Sequence, residues 1–151
     1  MLSGATESGG SPGRAVCRGV ERSLPGVPRA TLAPMSLRLA SLTIDTRDPA
    51  ALATWWQQVL GGDLDTSDAP DEVVLEVPGA APVLFGMEPT RKTVKNRIHF
   101  DLRPDDRDAE VERLLRLGAV KVDIGQASDP EVTWVVLADP EGNEFCVLRG
   151  L

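Results

Sequence analysis

The chain has 151 residues, 42% of them hydrophobic and 26% charged, which fits one soluble domain, or one domain with a tail. A formal net charge of −7 argues against a nucleic-acid binder, and no apolar run reaches the roughly 18 residues that a membrane span requires. The two cysteines, Cys17 and Cys146, sit in different contexts and make no disulfide framework, so a reducing, cytoplasmic setting is expected.

Residues 1–35 are crowded with Gly, Ser, Pro and Arg and lack hydrophobic periodicity. They predict a disordered tail, with no uninterrupted apolar segment of the kind a secretory signal needs. The folded domain is expected over 36–151. Leu37 to Asp45 reads as a strand, with Ala40, Leu42 and Ile44 on one face and Leu39, Ser41, Thr43 and Asp45 on the other. Asp48-Pro49 then supplies a helix N-cap followed by Pro at the first helical position. The helix runs to about Leu60, with Leu52, Trp55, Trp56 and Val59 on one stripe, and Gly61-Gly62 ends it. The Trp pair reads as helix-to-sheet packing rather than as a ligand platform. Leu64, then Glu72–Val77 and Pro82–Met87, are three further short strands separated by turn residues. A polar linker, EPTRKTVK, follows at 88–95.

The pattern then starts again. Arg97 to Arg103 is a strand with Ile98, Phe100 and Leu102 on one face and Arg97, His99, Asp101 and Arg103 on the other. Asp105 or Asp106 can cap a helix carrying Val111, Leu114, Leu115 and Leu117, which Gly118 ends. Val120–Ile124 is a strand. The hairpin from Val132 to Leu148 turns on Asp139-Pro140-Glu141-Gly142, which suits a type I turn. In its second strand Phe145 and Val147 point one way, and Glu144, Cys146 and Leu148 the other.

Each half therefore reads strand, helix, strand, strand, strand, with module one at about 37–88 and module two at about 96–151. The fold class expected is α+β: two tandem βαβββ modules forming an open, partly closed sheet around a cleft. Period-two alternation leaves Ser41, Thr43, Asp45, Glu76, His99, Asp101, Glu144 and Cys146 on the faces that the helices do not cover. Two such faces curving toward one another would line the cleft with these groups. His99 is the single histidine of the chain, and Asp101 is placed to orient or charge it as a general base.

The doubled plan, the junction TRDPAALATWWQQVLGG and the ending ADPEGNEFCVL resemble the vicinal-oxygen-chelate superfamily of glyoxalases, bleomycin-resistance proteins and extradiol dioxygenases. The resemblance covers about Leu37 to Leu151 and is nearest to the glyoxalase-like domain branch. It implies four metal-ligand positions, which fall here on Ser41, Glu76, His99 and Cys146. Ser41 is a poor ligand, and Cys146 stands where the family usually has Glu. Glu76, His99 and Cys146 would still make a three-ligand set suited to zinc. The simpler expectation is a buried cysteine and no metal.

Three functional readings follow, one of them a structural or interaction domain with a degenerate cleft. In another, a lyase, isomerase or dioxygenase-type enzyme acts on a small oxygenated substrate, with His99, Glu76 and Asp101 as its acid/base groups. In the third, a metal-free protein sequesters a small molecule, its net acidity suiting a cation and Trp134 offering a stacking wall. The family resemblance further implies a homodimer, whose exposed sheet edges need protection. No nucleic-acid or membrane partner is expected.

Overall fold

A computed structural model describes residues 39–66, 71–126 and 132–150, and the expected tail at 1–35 lies outside them. The first module contains β1 (Leu42–Thr46), α1 (Pro49–Leu60), β2 (Asp63–Asp65), β3 (Glu72–Glu76) and β4 (Val83–Met87). The second repeats the plan with β5 (Asp101–Leu102), α2 (Arg107–Arg116), β6 (Val120–Lys121), β7 (Val135–Ala138) and β8 (Glu144–Val147). The sheets have the orders β1-β4-β3-β2 and β5-β8-β7-β6. In each, the module's first strand lies parallel to its last and the other pairs are antiparallel. The fold is thus α+β, with two open four-stranded mixed sheets.

Local chemistry explains the helix ends. The Asp48 carboxylate accepts from Ala51 N at 2.9 Å and Pro49 opens α1, while Gly61 closes it at φ 72°. Asp106, rather than Asp105, caps α2 by accepting from Asp108 N and Ala109 N. Gly62, at φ 93°, then brings the chain against β3: an added Cβ would stand 2.1 Å from the Glu76 carbonyl oxygen. Only glycine fits that approach.

Three strands are shorter than alternation suggests. β1 begins at Leu42, whose N–H donates to the Pro82 carbonyl at 2.9 Å; Pro82 itself has no N–H with which to extend the ladder. β5 shrinks from the expected 97–103 to Asp101–Leu102, because it is an edge strand whose one neighbour, β8, is four residues long. β6 stops at Lys121 rather than Ile124.

The two modules share one core. Leu52, Trp55, Trp56, Leu75 and Phe85 pack with Leu114, Leu137, Phe145 and Val147 in a single cluster. Burying each such side chain contributes roughly 1.5–3 kcal/mol. The helices were expected to serve their own sheets; α1 does lie on β3 and β4, yet its Trp pair also reaches across to the second module. Trp56 meets Phe145 and Phe100 edge-on, at 5.2 and 5.3 Å between ring centroids. Trp55 donates its indole N–H to the Leu117 carbonyl at 2.9 Å.

The β7–β8 turn completes the junction. Gly142 N donates to the Asp139 carbonyl at 2.9 Å, closing the expected β-turn. Asp139 is 2% exposed. Its carboxylate accepts from Glu141 N, Asn143 N, Asn143 Nδ2 and, at 3.1 Å, the indole N–H of Trp56. Beside it Glu141 accepts from Arg47 N, at the end of β1. Replacing Asp139 with Asn presents an amide NH2 to donors and should cost about 2–4 kcal/mol. Thermal unfolding of Asp139→Asn should show a melting temperature lowered on the order of 10 °C; an unchanged melting temperature would remove this carboxylate from the stability of the junction.

Candidate functional site

Alternation along β8 divides two chemistries. Phe145 and Val147 enter the main core, whereas Cys146 turns to the opposite face and packs with Val136 and Leu148. The parallel register of β5 and β8 sets Asp101 opposite Cys146. His99, two residues earlier, comes to the same place. Its Nε2 lies 3.3 Å from Asp101 Oδ1, and ligand atoms of His99, Asp101 and Cys146 all lie within 4.8 Å of one another.

This is an imidazole–carboxylate pair beside a thiol. The His99 side chain is 24% exposed and that of Asp101 38%, so solvent and a small molecule can reach both, while Cys146 is 3% exposed. The recess that His99 and Cys146 line has a volume of only about 10 Å³, so a reactant would meet this centre from the open sheet face rather than inside an enclosed chamber.

A larger cavity, of about 520 Å³, lies between β1, the connector at 88–98 and the β7–β8 turn. Thr43, Asp45 and Glu144 line it, with Trp56 and Phe100 among its apolar groups. Glu144 lines both spaces and accepts from Lys92 Nζ and Asn96 N, each at 2.9 Å. Burial acts on this carboxyl most strongly and raises its pKa. The hydrogen bonds from Lys92 and the backbone together outweigh that and hold it below the ordinary carboxylate value.

The candidates read from the sequence therefore separate. His99, Asp101 and Cys146 come together; Thr43, Asp45 and Glu144 line the larger cavity. Ser41 is exposed just before β1, and Glu76 is exposed at the end of β3 in the other sheet, outside the His99 group. Trp134 packs beside Val136, Cys146 and Leu148, with its buried indole N–H unpartnered among the described residues. Sequence reasoning treated the 88–95 connector as a plain linker and so missed the cavity it walls. The available signal was its cations, Arg91, Lys92, Lys95 and then Arg97, in an otherwise acidic chain.

Among the described residues, no helix is long and apolar enough to cross a membrane. Residues 41–148 match the model of the glyoxalase-like domain family. None of the curated proteins compared with the chain matches it. Among solved structures, a glyoxalase/bleomycin resistance protein/dioxygenase family enzyme from Burkholderia phytofirmans PsJN is similar at 23% identity and TM-score 0.60, over 76% of this chain and 100% of that one. A member of the same superfamily from Sphaerobacter thermophilus is similar at 21% identity and TM-score 0.55, over 75% of this chain and 97% of that one. Fosfomycin resistance protein FosX from Listeria monocytogenes, solved with Mn(II) and 1S,2S-dihydroxypropylphosphonic acid, is similar at 16% identity and TM-score 0.60, over 78% and 93% of the two chains. With its doubled βαβββ plan and this match across most of its length, the chain belongs to the glyoxalase-like domain family.

Proposed function

We propose that the protein is an enzyme that moves a proton on a small oxygenated molecule, with His99 as the base and Asp101 as its partner. The observation that carries this reading is the meeting of His99 Nε2 with Asp101 Oδ1 at 3.3 Å, beside the Cys146 thiol. His99 removes a proton from the carbon next to a substrate carbonyl. The electron pair left behind delocalises onto the carbonyl oxygen, and Asp101 stabilises the imidazolium so formed. Return of the proton to the former carbonyl carbon, with the proton of the neighbouring hydroxyl passing to the oxyanion, completes an isomerisation. A positioned base of this kind contributes about 10²–10⁴-fold to rate.

The FosX protein, similar in fold, was solved with Mn(II). Here the available donors are an imidazole nitrogen, a carboxylate oxygen and a sulfur within 4.8 Å. That set fits a three-ligand zinc site in which His99, Asp101 and Cys146 hold the ion. When bound, it would polarise a substrate oxygen as a Lewis acid. The proton-transfer role of His99 stands without it.

The direct test is hydrogen–deuterium exchange at carbon. A panel of 2-hydroxyaldehydes and 2-hydroxyketones, incubated with the protein in D2O and followed by proton NMR, should include at least one member that exchanges faster with enzyme. The His99→Gln variant should lose about 100-fold or more of that rate. Acceleration that survives in His99→Gln, or none with any member, would contradict the reading.

A homodimer forms part of this proposal. β1, β2, β5 and β6 are sheet edges, and Leu39, Met87 and Val120 expose large apolar side chains. Such edges and apolar groups are commonly covered by association. Sedimentation velocity at micromolar concentration should give twice the chain mass; a monomer alone would count against it.

A further inference from the structure

The 520 Å³ cavity beside the connector falls within the volume range of small-molecule sites, and its lining is chemically divided. One part is apolar. Trp56 and Phe100 meet at 5.3 Å and 89°, with Ile44 beside them. The Trp56 ring is locked in orientation by its N–H bond to Asp139. Val94 and Ile98, 73% and 82% exposed, extend this apolar surface along the connector and lack cover.

The other part is charged, and its charges are unevenly paired. Among the lining carboxylates, Glu144 is engaged by Lys92 and Asn96, Glu141 by Arg47, and Glu88 by the Thr90 backbone. Of the lining cations, Lys92 alone is in an ion pair. Arg91, Lys95 and Arg97 form no ion pair with a described carboxylate. Glu88 meets a neutral backbone N–H, and Asp45 forms no ion pair with a described cation, so the lining charges outside ion pairs are three positive against two negative. The connector that carries them is held in place by the Lys92–Glu144 pair and the Asn96–Glu144 hydrogen bond. The cations are therefore mounted on a tethered wall rather than on a free loop.

We infer that this cavity binds an amphipathic organic anion: an aromatic or branched apolar body against Phe100, Ile44 and Ile98, with a carboxylate head at Arg91, Lys95 and Arg97. The chain as a whole is acidic, at −7, so nonspecific attraction would favour cations. Anion selectivity here would come from the local arrangement. A guanidinium holds a carboxylate bidentately, which suits Arg91 and Arg97 to fixing the head while the apolar wall receives the body. The cavity shares Lys95 and Glu144 with the recess that His99 and Cys146 line, but its own lining includes none of His99, Asp101 and Cys146.

Isothermal titration calorimetry with 2-naphthoate, against 2-naphthylmethylammonium as its cationic counterpart, tests the assignment. The full chain should bind one 2-naphthoate at least about tenfold more tightly than the ammonium. The triple variant Arg91→Glu, Lys95→Glu, Arg97→Glu, on exposed connector positions, should reverse that preference, while His99→Gln should retain it. Equal affinity for the two probes, no binding of 2-naphthoate, or a preference unchanged in the triple variant would overturn the proposal. A triple variant that changes the sedimentation coefficient while leaving 2-naphthoate affinity intact would assign the groove to a second copy of the chain and overturn it equally.

Discussion

The structure depends on one buried carboxylate. Asp139 sits at the first position of the β7–β8 turn and accepts from four donors, three within its own turn and one from Trp56 in α1. A carboxylate removed from water is costly unless such donors replace its hydration. The same residue that shapes the hairpin therefore fixes where α1 stands against it. The junction joins two units whose separate sheets would otherwise be linked chiefly by apolar contact, which is not directional. Trp56 then has one orientation, and the edge-on contacts with Phe100 and Phe145 follow from it.

That constraint reaches both candidate sites. The turn fixes β8, β8 sets β5, and their parallel register puts Asp101 beside Cys146 with His99 close by. On its other side the turn presents Glu141 to Arg47 and, at the first residue of β8, Glu144 to Lys92. The first contact docks the hairpin on the end of β1; the second draws the connector inward and walls the larger cavity. A chain of short, directional polar contacts thus converts an apolar packing arrangement into defined positions for chemistry.

Much of this was legible in the sequence because it is local. Asp48-Pro49, Gly61-Gly62 and Asp139-Pro140-Glu141-Gly142 each carry their own geometry, and alternation correctly divided Phe145 and Val147 from Cys146. The doubled plan followed from those pieces. Strand lengths did not, because β1 starts and ends with β4 and β5 ends with β8, and such neighbours are set by tertiary pairing. The site was half legible for the same reason. Period two says that His99, Asp101 and Cys146 avoid the core, and register within one sheet brings them together. Glu76 obeys the same period but belongs to the other sheet, and no local rule states how two sheets are disposed. Trp56 looked like packing and is packing, but its partner Asp139, 83 residues away, could not be inferred from spacing.

The central claim is that three side chains, from β8, β5 and the approach to β5, act as one centre. Cobalt(II) reads that claim directly, because a thiolate ligand produces an intense charge-transfer absorption that oxygen and nitrogen ligands do not. His99, being the single histidine, reports its own coordination through one imidazole spin system. Titration with cobalt(II), followed by absorption and by proton NMR, should give a thiolate band and paramagnetically shifted His99 signals that saturate together at one equivalent. Cys146→Ala should lose the band, and Asp101→Asn should weaken both signals about tenfold or more, as loss of a ligand or its supporting group does. Cobalt that binds without the thiolate band, or that leaves the His99 signals unmoved, would show that the three groups do not converge.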